Sequence, residues 1–326
     1  MCAQKVVIIT TGGTIAMRYD PVQKGLCPAA TGPELIEAVP ELAGVAPVEV
    51  VEFSNIPSPH MSPRLAFELA HRVDEIAQRE DVAGIVITHG TDTLEETAYM
   101  LDLIVKTDKP VCLTAAMRSS AESSPDGPKN ILCAVKAAAC PKAVEAGVLV
   151  VMNEEIHTAL EVTKTHSANV KTFASPFWGP IGYVDADRVI IRRKSQVIQK
   201  IQPDDIVDDV YLIKVVAGMD DFFFRCLVEK QVKGIVVEGL GRGNVNPAVK
   251  DGIKLAREHQ IPVVLATRVH AGRVLDTYGY DGGVRSLKDY GIIMAGEITG
   301  QKARIKLMAA LGITNDIEKL AKYFDN

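Results

Sequence analysis

The sequence predicts an α/β protein of two domains, each built on a mainly parallel sheet. Three observations carry this. The chain has 326 residues, more than one ordinary hydrophobic core supports. Short apolar, β-branched runs alternate with helical patterns, which implies right-handed β-α-β crossovers. A polar stretch rich in Lys, Gln and Asp, residues 193–209, has no apolar period. It reads as a link between a domain at 1–192 and a second at 210–326.

The elements follow in order. Residues 5–11 form an apolar strand ending in Gly12-Gly13. Thr31 and Glu34 have capping-box spacing, with Pro33 in the first turn of a helix. Strands are expected at 48–53, 83–88, 110–115 and 147–152. Ser62-Pro63 opens a long amphipathic helix to about residue 79. Thr93 and Glu96 read as the cap of the helix after the third strand, and another helix is expected at 130–139. A hairpin is expected near 182–192. In the second domain, strands are expected at 210–216, 234–238 and 262–267, and helices near 222–231, 247–259 and 301–310.

Composition narrows the function classes. Hydrophobic residues make up 47% and charged residues 24%, a folded-domain balance. A net charge of −5 gives no electrostatic reason to expect nucleic acid or an anionic membrane as partner. No apolar run is long enough to span a bilayer. The six cysteines, Cys2, Cys27, Cys112, Cys133, Cys140 and Cys226, contain no Cys-x-x-Cys pair. With no export signal visible, they point to a reducing, cytoplasmic setting. His60, His157 and His166 lack metal-ligand spacing, so no metal is expected.

Ligands of open parallel sheets bind beyond the carboxyl ends of the strands. Those ends carry Gly13-Thr14, Ser58, Thr91-Asp92-Thr93 and Ala116, and the segment after the fifth strand carries Lys164. Several hydroxyls, a carboxylate and an amine on one rim would suit nucleophilic acyl transfer. A threonine hydroxyl needs an activating partner, and two glycines let the backbone turn sharply beside Thr14. Asp92 and Lys164 would tune Thr91, and backbone N–H groups near Thr91 and Ala116 would stabilise an oxyanion. Spacing alone leaves other readings open. Thr14 and Ser58 also suit turns, Thr91-Asp92-Thr93 suits a helix cap, Lys164 suits a solvated surface, and His89 suits a satisfied core histidine. Gly239-Leu-Gly-Arg-Gly-Asn244 has the wrong glycine spacing for a dinucleotide turn.

Two segments, Thr10-Thr-Gly-Gly-Thr-Ile-Ala16 and Ile87-Thr-His-Gly-Thr-Asp-Thr-Leu-Glu-Glu-Thr-Ala98, resemble the signatures of bacterial L-asparaginases. Ala116-Met-Arg118, Asp126-Gly-Pro128, Val162-Thr-Lys-Thr165 and Gln301-Lys-Ala-Arg304 extend the likeness in order along nearly the whole chain. The resemblance implies a larger N-terminal domain, a smaller flavodoxin-like C-terminal domain, and hydrolysis of L-asparagine to aspartate and ammonia without a cofactor. By motif position it implies Thr14 as nucleophile, with Thr91, Asp92 and Lys164 as the supporting triad. Ser58 and Asp92 would hold the substrate's α-carboxylate and α-ammonium. Asn244 would reach in from a neighbouring subunit of a homotetramer, or dimer of intimate dimers. Three departures stand out. The lid at 17–28 is short and its one tyrosine, Tyr19, lies close to Thr14. Pro59 replaces a glutamine common in the family, with His60 a candidate substitute. The neighbour's glutamate has no clear match, with Asp281 the nearest acid. L-glutamine, D-asparagine or another amino-acid amide is the alternative substrate, and a non-catalytic ligand-binding protein on the same fold is a third reading.

Overall fold

The computed structural model describes residues 4–28, 30–194 and 199–325. The chain divides into two compact units, Met1–Lys200 and Ile201–Asn326. The division falls within the segment read as a link.

The first unit opens with β1 (Lys5–Gly12), followed by a hairpin of β2 (Met17–Asp20) and β3 (Gly25–Pro28). Then come α1 (Gly32–Glu37), β4 (Val48–Ile56), α2 (Pro63–Ala77), β5 (Val82–Thr88), α3 (Leu94–Ile104), β6 (Val111–Thr114), α4 (Gly127–Ala138) and β7 (Val148–Met152). The unit closes with β8 (Glu155–Thr158), a ribbon of β9 (Thr163–Lys164) and β10 (Phe173–Ala174), and the hairpin β11 (Gly182–Asp185) and β12 (Arg188–Ile191). One eight-stranded sheet runs β12-β11-β8-β7-β6-β5-β1-β4. The pairs joining β4, β1, β5, β6 and β7 are parallel, and those joining β7, β8, β11 and β12 are antiparallel.

The central strands are continuous apolar runs because both faces of the sheet are covered. Val6, Ile8, Val86, Cys112 and Leu149 pack with Ile131, Ala134 and Leu35 of α4 and α1. The alternate residues Val7, Ile9, Ile85 and Ile87 turn to the opposite face and are equally buried. There α2 packs against α3 and against β5. The expected caps are present in part. Thr31 and Glu34 form the capping box, and Ser62 Oγ accepts from the Leu65 N–H. Thr93 is a correction. It holds the N-cap position of α3 but makes no capping bond, because its hydroxyl donates instead to the Ser58 carbonyl at 2.7 Å.

The second unit contains β13 (Val210–Lys214), α5 (Phe222–Glu229), β14 (Gly234–Gly239), α6 (Pro247–Glu258), β15 (Val263–Thr267), α7 (Val284–Lys288), β16 (Ile293–Met294), α8 (Gly300–Leu311) and α9 (Ile317–Lys322). Its four-stranded parallel sheet runs β13-β14-β15-β16. Ile235 and Val237 of β14 share a core with Phe224 and Ile253 of α5 and α6. Gly234 faces Leu307 and Leu311 of α8. The layered parallel arrangement is that of a flavodoxin-like domain, while the strand order is sequential rather than 2-1-3-4-5.

Two interior features have measurable consequences. A Cβ on Gly84 would lie 2.1 Å from the Ala138 carbonyl oxygen, so β5 and α4 approach as closely as they do only through a glycine. Gly84→Ala is expected to destabilise the protein by about 2 kcal/mol through overpacking, read from urea unfolding midpoints. His89, fully buried after β5, donates from Nδ1–H to the Gly90 carbonyl at 2.7 Å and accepts at Nε2 from the Thr97 hydroxyl at 3.1 Å. Burial holds its pKa down, to about 4, so the ring stays neutral. An unfolded histidine titrates near 6.5. Its contribution is therefore complete above pH 6.5 and lost as pH falls toward 4, by about 3 kcal/mol in total. His89→Asn, which keeps a donor near Gly90, should flatten that part of the stability–pH curve. Equal acid sensitivity in both proteins would assign the loss elsewhere.

Candidate active site

Strands β1, β4, β5 and β6 run parallel, so their carboxyl ends meet at one rim, and the loops leaving that rim carry the expected residues. β1 ends in Gly12 and Gly13, with φ of 103° and 79°. The β1–β4 register slips between Thr10 and Gly12. The Gly13 N–H then bonds the Ile56 carbonyl at 3.0 Å, and Thr14 opens a single 3₁₀ turn, Thr14–Ala16. A Cβ on Gly13 would lie 2.3 Å from Gly90 Cα, and one on Gly90 would lie 2.7 Å from Ser58 Oγ. Thr14 and Thr91 each follow one of these two touching glycines. The two threonines therefore start from adjoining backbones, with Ser58 against the same contact.

Hydrogen bonds fix the other positions. Ser58, 5% exposed, accepts at Oγ from the Asp92 N–H at 3.1 Å, and its carbonyl takes the Thr93 hydroxyl. Lys164 Nζ donates to Thr91 Oγ1 at 2.9 Å and to Asp92 Oδ1 at 2.7 Å. The lysine side chain is 16% exposed and the aspartate 59%, so the pair buries its amine and presents its carboxylate to solvent. The four-residue set read from sequence thus includes three groups in direct contact. Ala116 is buried after β6, and its loop is pinned because Asp126 accepts from the Met117 and Arg118 N–H groups. Asn130 connects the same loop to the end of β7, donating to the Ala115 carbonyl and accepting from the Asn153 N–H.

The remaining candidates stand as follows. Tyr19 lies in β2 of the β2–β3 hairpin, and its side chain is outside the described residues. The hairpin was not foreseen. Its turn is made by Asp20, whose Oδ1 accepts from the Val22 and Gln23 N–H groups, a local signal the sequence does contain. Pro59 and His60 are exposed beside buried Ser58. In the second unit, Asn244 closes the turn after β14 through paired backbone bonds with Leu240, and its Oδ1 accepts from the Val284 N–H at 3.4 Å. Asp281 is paired with Lys250 at 2.7 Å. Among the described residues no three His, Cys, Asp or Glu side chains are grouped to hold a metal ion.

The site can place a hydroxyl nucleophile on one glycine-based loop and a second hydroxyl, already bonded to an ammonium, on the next. That is equipment for acyl transfer. The comparisons agree with it. The family model for the asparaginase N-terminal domain matches residues 5–197, and that for the glutaminase/asparaginase C-terminal domain matches 209–324. A protein of Deinococcus radiodurans described as a probable L-asparaginase is 37% identical, covering 98% of this chain and 97% of its own. One from Haemophilus influenzae, described as a probable periplasmic L-asparaginase, is 37% identical over 98% of this chain and 92% of its own. The crystal structure of a probable cytoplasmic L-asparaginase from Campylobacter jejuni superposes with a TM-score of 0.87 at 34% identity, covering 98% of this chain and 99% of that one. The chain belongs to the asparaginase family.

Proposed function

We propose that this protein hydrolyses the side-chain carboxamide of L-asparagine to aspartate and ammonia, through an acyl-enzyme on Thr14. The observation that carries the reading is the contact of Lys164 Nζ with both Thr91 Oγ1 and Asp92 Oδ1. Thr14 Oγ attacks the amide carbon, its proton leaves with the ammonia, and water then cleaves the ester to regenerate the hydroxyl. Thr91 serves the attacking water. Negative charge developing on its oxygen forms beside an ammonium group, an attraction worth several kcal/mol at an effective dielectric constant of about 20. Backbone N–H groups near Thr91 and Ala116 face the oxyanion. Ser58 receives the α-carboxylate and exposed Asp92 the α-ammonium. By its place in the sequence after Thr14, Tyr19 is the residue we assign to orient the nucleophile.

L-Glutamine is the second substrate. One methylene distinguishes it, which gives only modest discrimination unless the site excludes it sterically, and the C-terminal family model covers glutaminases as well. Pro59 has no side-chain amide oxygen to accept from an α-ammonium, and it has no backbone N–H to donate elsewhere. We assign the working form to a homotetramer in which Asn244 of a neighbouring copy completes the site. Exposed Phe222 and Phe223 on the second unit support such assembly. The cytoplasmic assignment is supported by the Campylobacter protein's description, while the Haemophilus protein is described as periplasmic. No helix among the described residues is long and apolar enough to cross a membrane.

Ammonia release from L-asparagine, L-glutamine and D-asparagine tests this directly. L-Asparagine is expected to react fastest, and turnover of none of the three would end the assignment. Thr14→Ala should lose on the order of 10³-fold or more in kcat. Lys164→Met should lose roughly 10²- to 10⁴-fold, the range for a group that assists proton transfer, while leaving substrate binding by Ser58 in place.

A further inference from the structure

Lys164 is delivered by a ribbon too small to hold itself. β9 and β10 contribute two residues each, paired Phe173 to Lys164 and Ala174 to Thr163. Isolated two-stranded pairs are marginal even when longer. The ribbon belongs to an excursion from β8 to β11, and both ends of that excursion are clamped by side chains that do not belong to the proposed catalytic set. At one clamp, the Arg193 guanidinium binds both oxygens of Glu161, two residues before β9, with Nη1 at 2.8 Å from Oε1 and Nη2 on Oε2. Its Nη2 also donates to the Gly179 carbonyl at 2.7 Å, beyond β10. A single guanidinium therefore closes residues 161–179 into a loop. The carboxylate it holds is only 10% exposed. At the other clamp, His157 of β8 hydrogen-bonds Ser175 through Nδ1 at 2.9 Å, directly after β10. His157 is 1% and Ser175 4% exposed, and Glu155 stands 3.4 Å from the other ring nitrogen. This is a serine–histidine–carboxylate cluster, but burial keeps substrate from it, so its use is mechanical.

We propose that Arg193 and the His157–Ser175 pair are positioning residues for the reaction: by clamping the excursion at both ends they hold Lys164 against Thr91 and Asp92. The inference rests on the role given to Lys164 above. Its physical basis is that a misplacement of about 1 Å can cost on the order of 10²-fold in rate. Bonds between Thr165 and Thr172 join the two arms of the ribbon only to each other, and the Lys171–Glu155 pair that also reaches β8 is largely open to solvent on its lysine side, so the Arg193 fork and the His157–Ser175 bond are the covered side-chain ties at its ends.

The test is a double-mutant comparison in the full-length protein. Arg193→Gln removes the fork, Ser175→Ala removes the histidine's partner, and Arg193→Lys keeps the charge without the bidentate geometry. Each is made alone and in a Lys164→Met background, with thermal melts and near-ultraviolet dichroism to check the fold. In the Lys164-containing protein, kcat should fall about 10- to 100-fold for Arg193→Gln and Ser175→Ala, with KM within about threefold of the parent on the same reasoning. Arg193→Lys should fall between Arg193→Gln and the parent. In the Lys164→Met background the same changes should cost nothing further, because the group they position is gone. Losses that multiply with Lys164→Met, folded variants with undiminished kcat, or a loss carried by KM would each overturn the clamp. So would failure of both Arg193→Gln and Ser175→Ala to fold, since the segment would then be part of the global core. Full activity in Lys164→Met alone would instead remove the role of Lys164, a separate failure that the same series identifies.

Discussion

The site depends on a backbone contact that only glycine permits. Gly13 and Gly90 approach so closely that a methyl group on either would overlap backbone or Ser58 atoms. Parallel pairing brings the ends of β1 and β5 to the same rim, but ladder spacing alone keeps neighbouring strands 4.7–4.9 Å apart, and side chains at the first loop residues would part them further. Removing those side chains lets the loop carrying Thr14 rest on the loop carrying Thr91. The positive φ values of Gly12 and Gly13 then turn the chain out of the sheet at once. His89 supports the same contact from below. Its ring ties the Gly90 carbonyl to Thr97 of α3, so the position of Gly90 is set by the core and not by the loop alone.

Much of this was legible because it repeats a local pattern. The apolar runs that became β1, β5, β6 and β7 are buried on both faces, and continuous hydrophobicity is what such strands require. The carboxyl-end rule then selected Thr14, Ser58, Thr91, Asp92 and Ala116 without any knowledge of distances. The glycines that precede Thr14 and Thr91 were visible as well, although sequence supplied no reason why both had to be glycine. That reason is their mutual contact, a relation between residues 77 positions apart.

What was not legible was mostly tertiary. Thr93 has the right type and spacing for a helix cap, yet the Ser58 carbonyl competes for its hydroxyl and wins. A polar side chain chooses the partner that would otherwise be left unsatisfied, and local spacing does not reveal a competitor 35 residues away. Arg193 sat in a stretch whose polar composition reads as a link, but its guanidinium is only partly exposed and binds Glu161 and Gly179 of the first unit. His157 and Ser175 carried no motif, because the bond between them joins a sheet strand to a short ribbon, and neither periodicity nor spacing encodes that pairing. The β2–β3 hairpin was missed for the opposite reason. Its signal, Asp20 at the turn, was local but weak beside the motif that precedes it.

The charge arrangement joins these parts into one argument about chemistry. Lys164 and Asp92 form an ion pair whose two members differ in exposure, with the amine nearly covered and the carboxylate open to solvent. A pair exposed on both sides would be screened and worth little. A pair buried on both sides would carry a desolvation cost with no use for the reaction. Covering only the amine keeps it fixed on Thr91, where low solvent exposure strengthens its influence on the hydroxyl. The aspartate gives one oxygen to the lysine and keeps the other side of its carboxylate accessible to an incoming ammonium. In the proposed reaction, the α-ammonium of an amino-acid substrate would then join the charge cluster that contacts Thr91. Substrate lacking that group would leave the aspartate solvated, so recognition and activation would be coupled through one carboxylate.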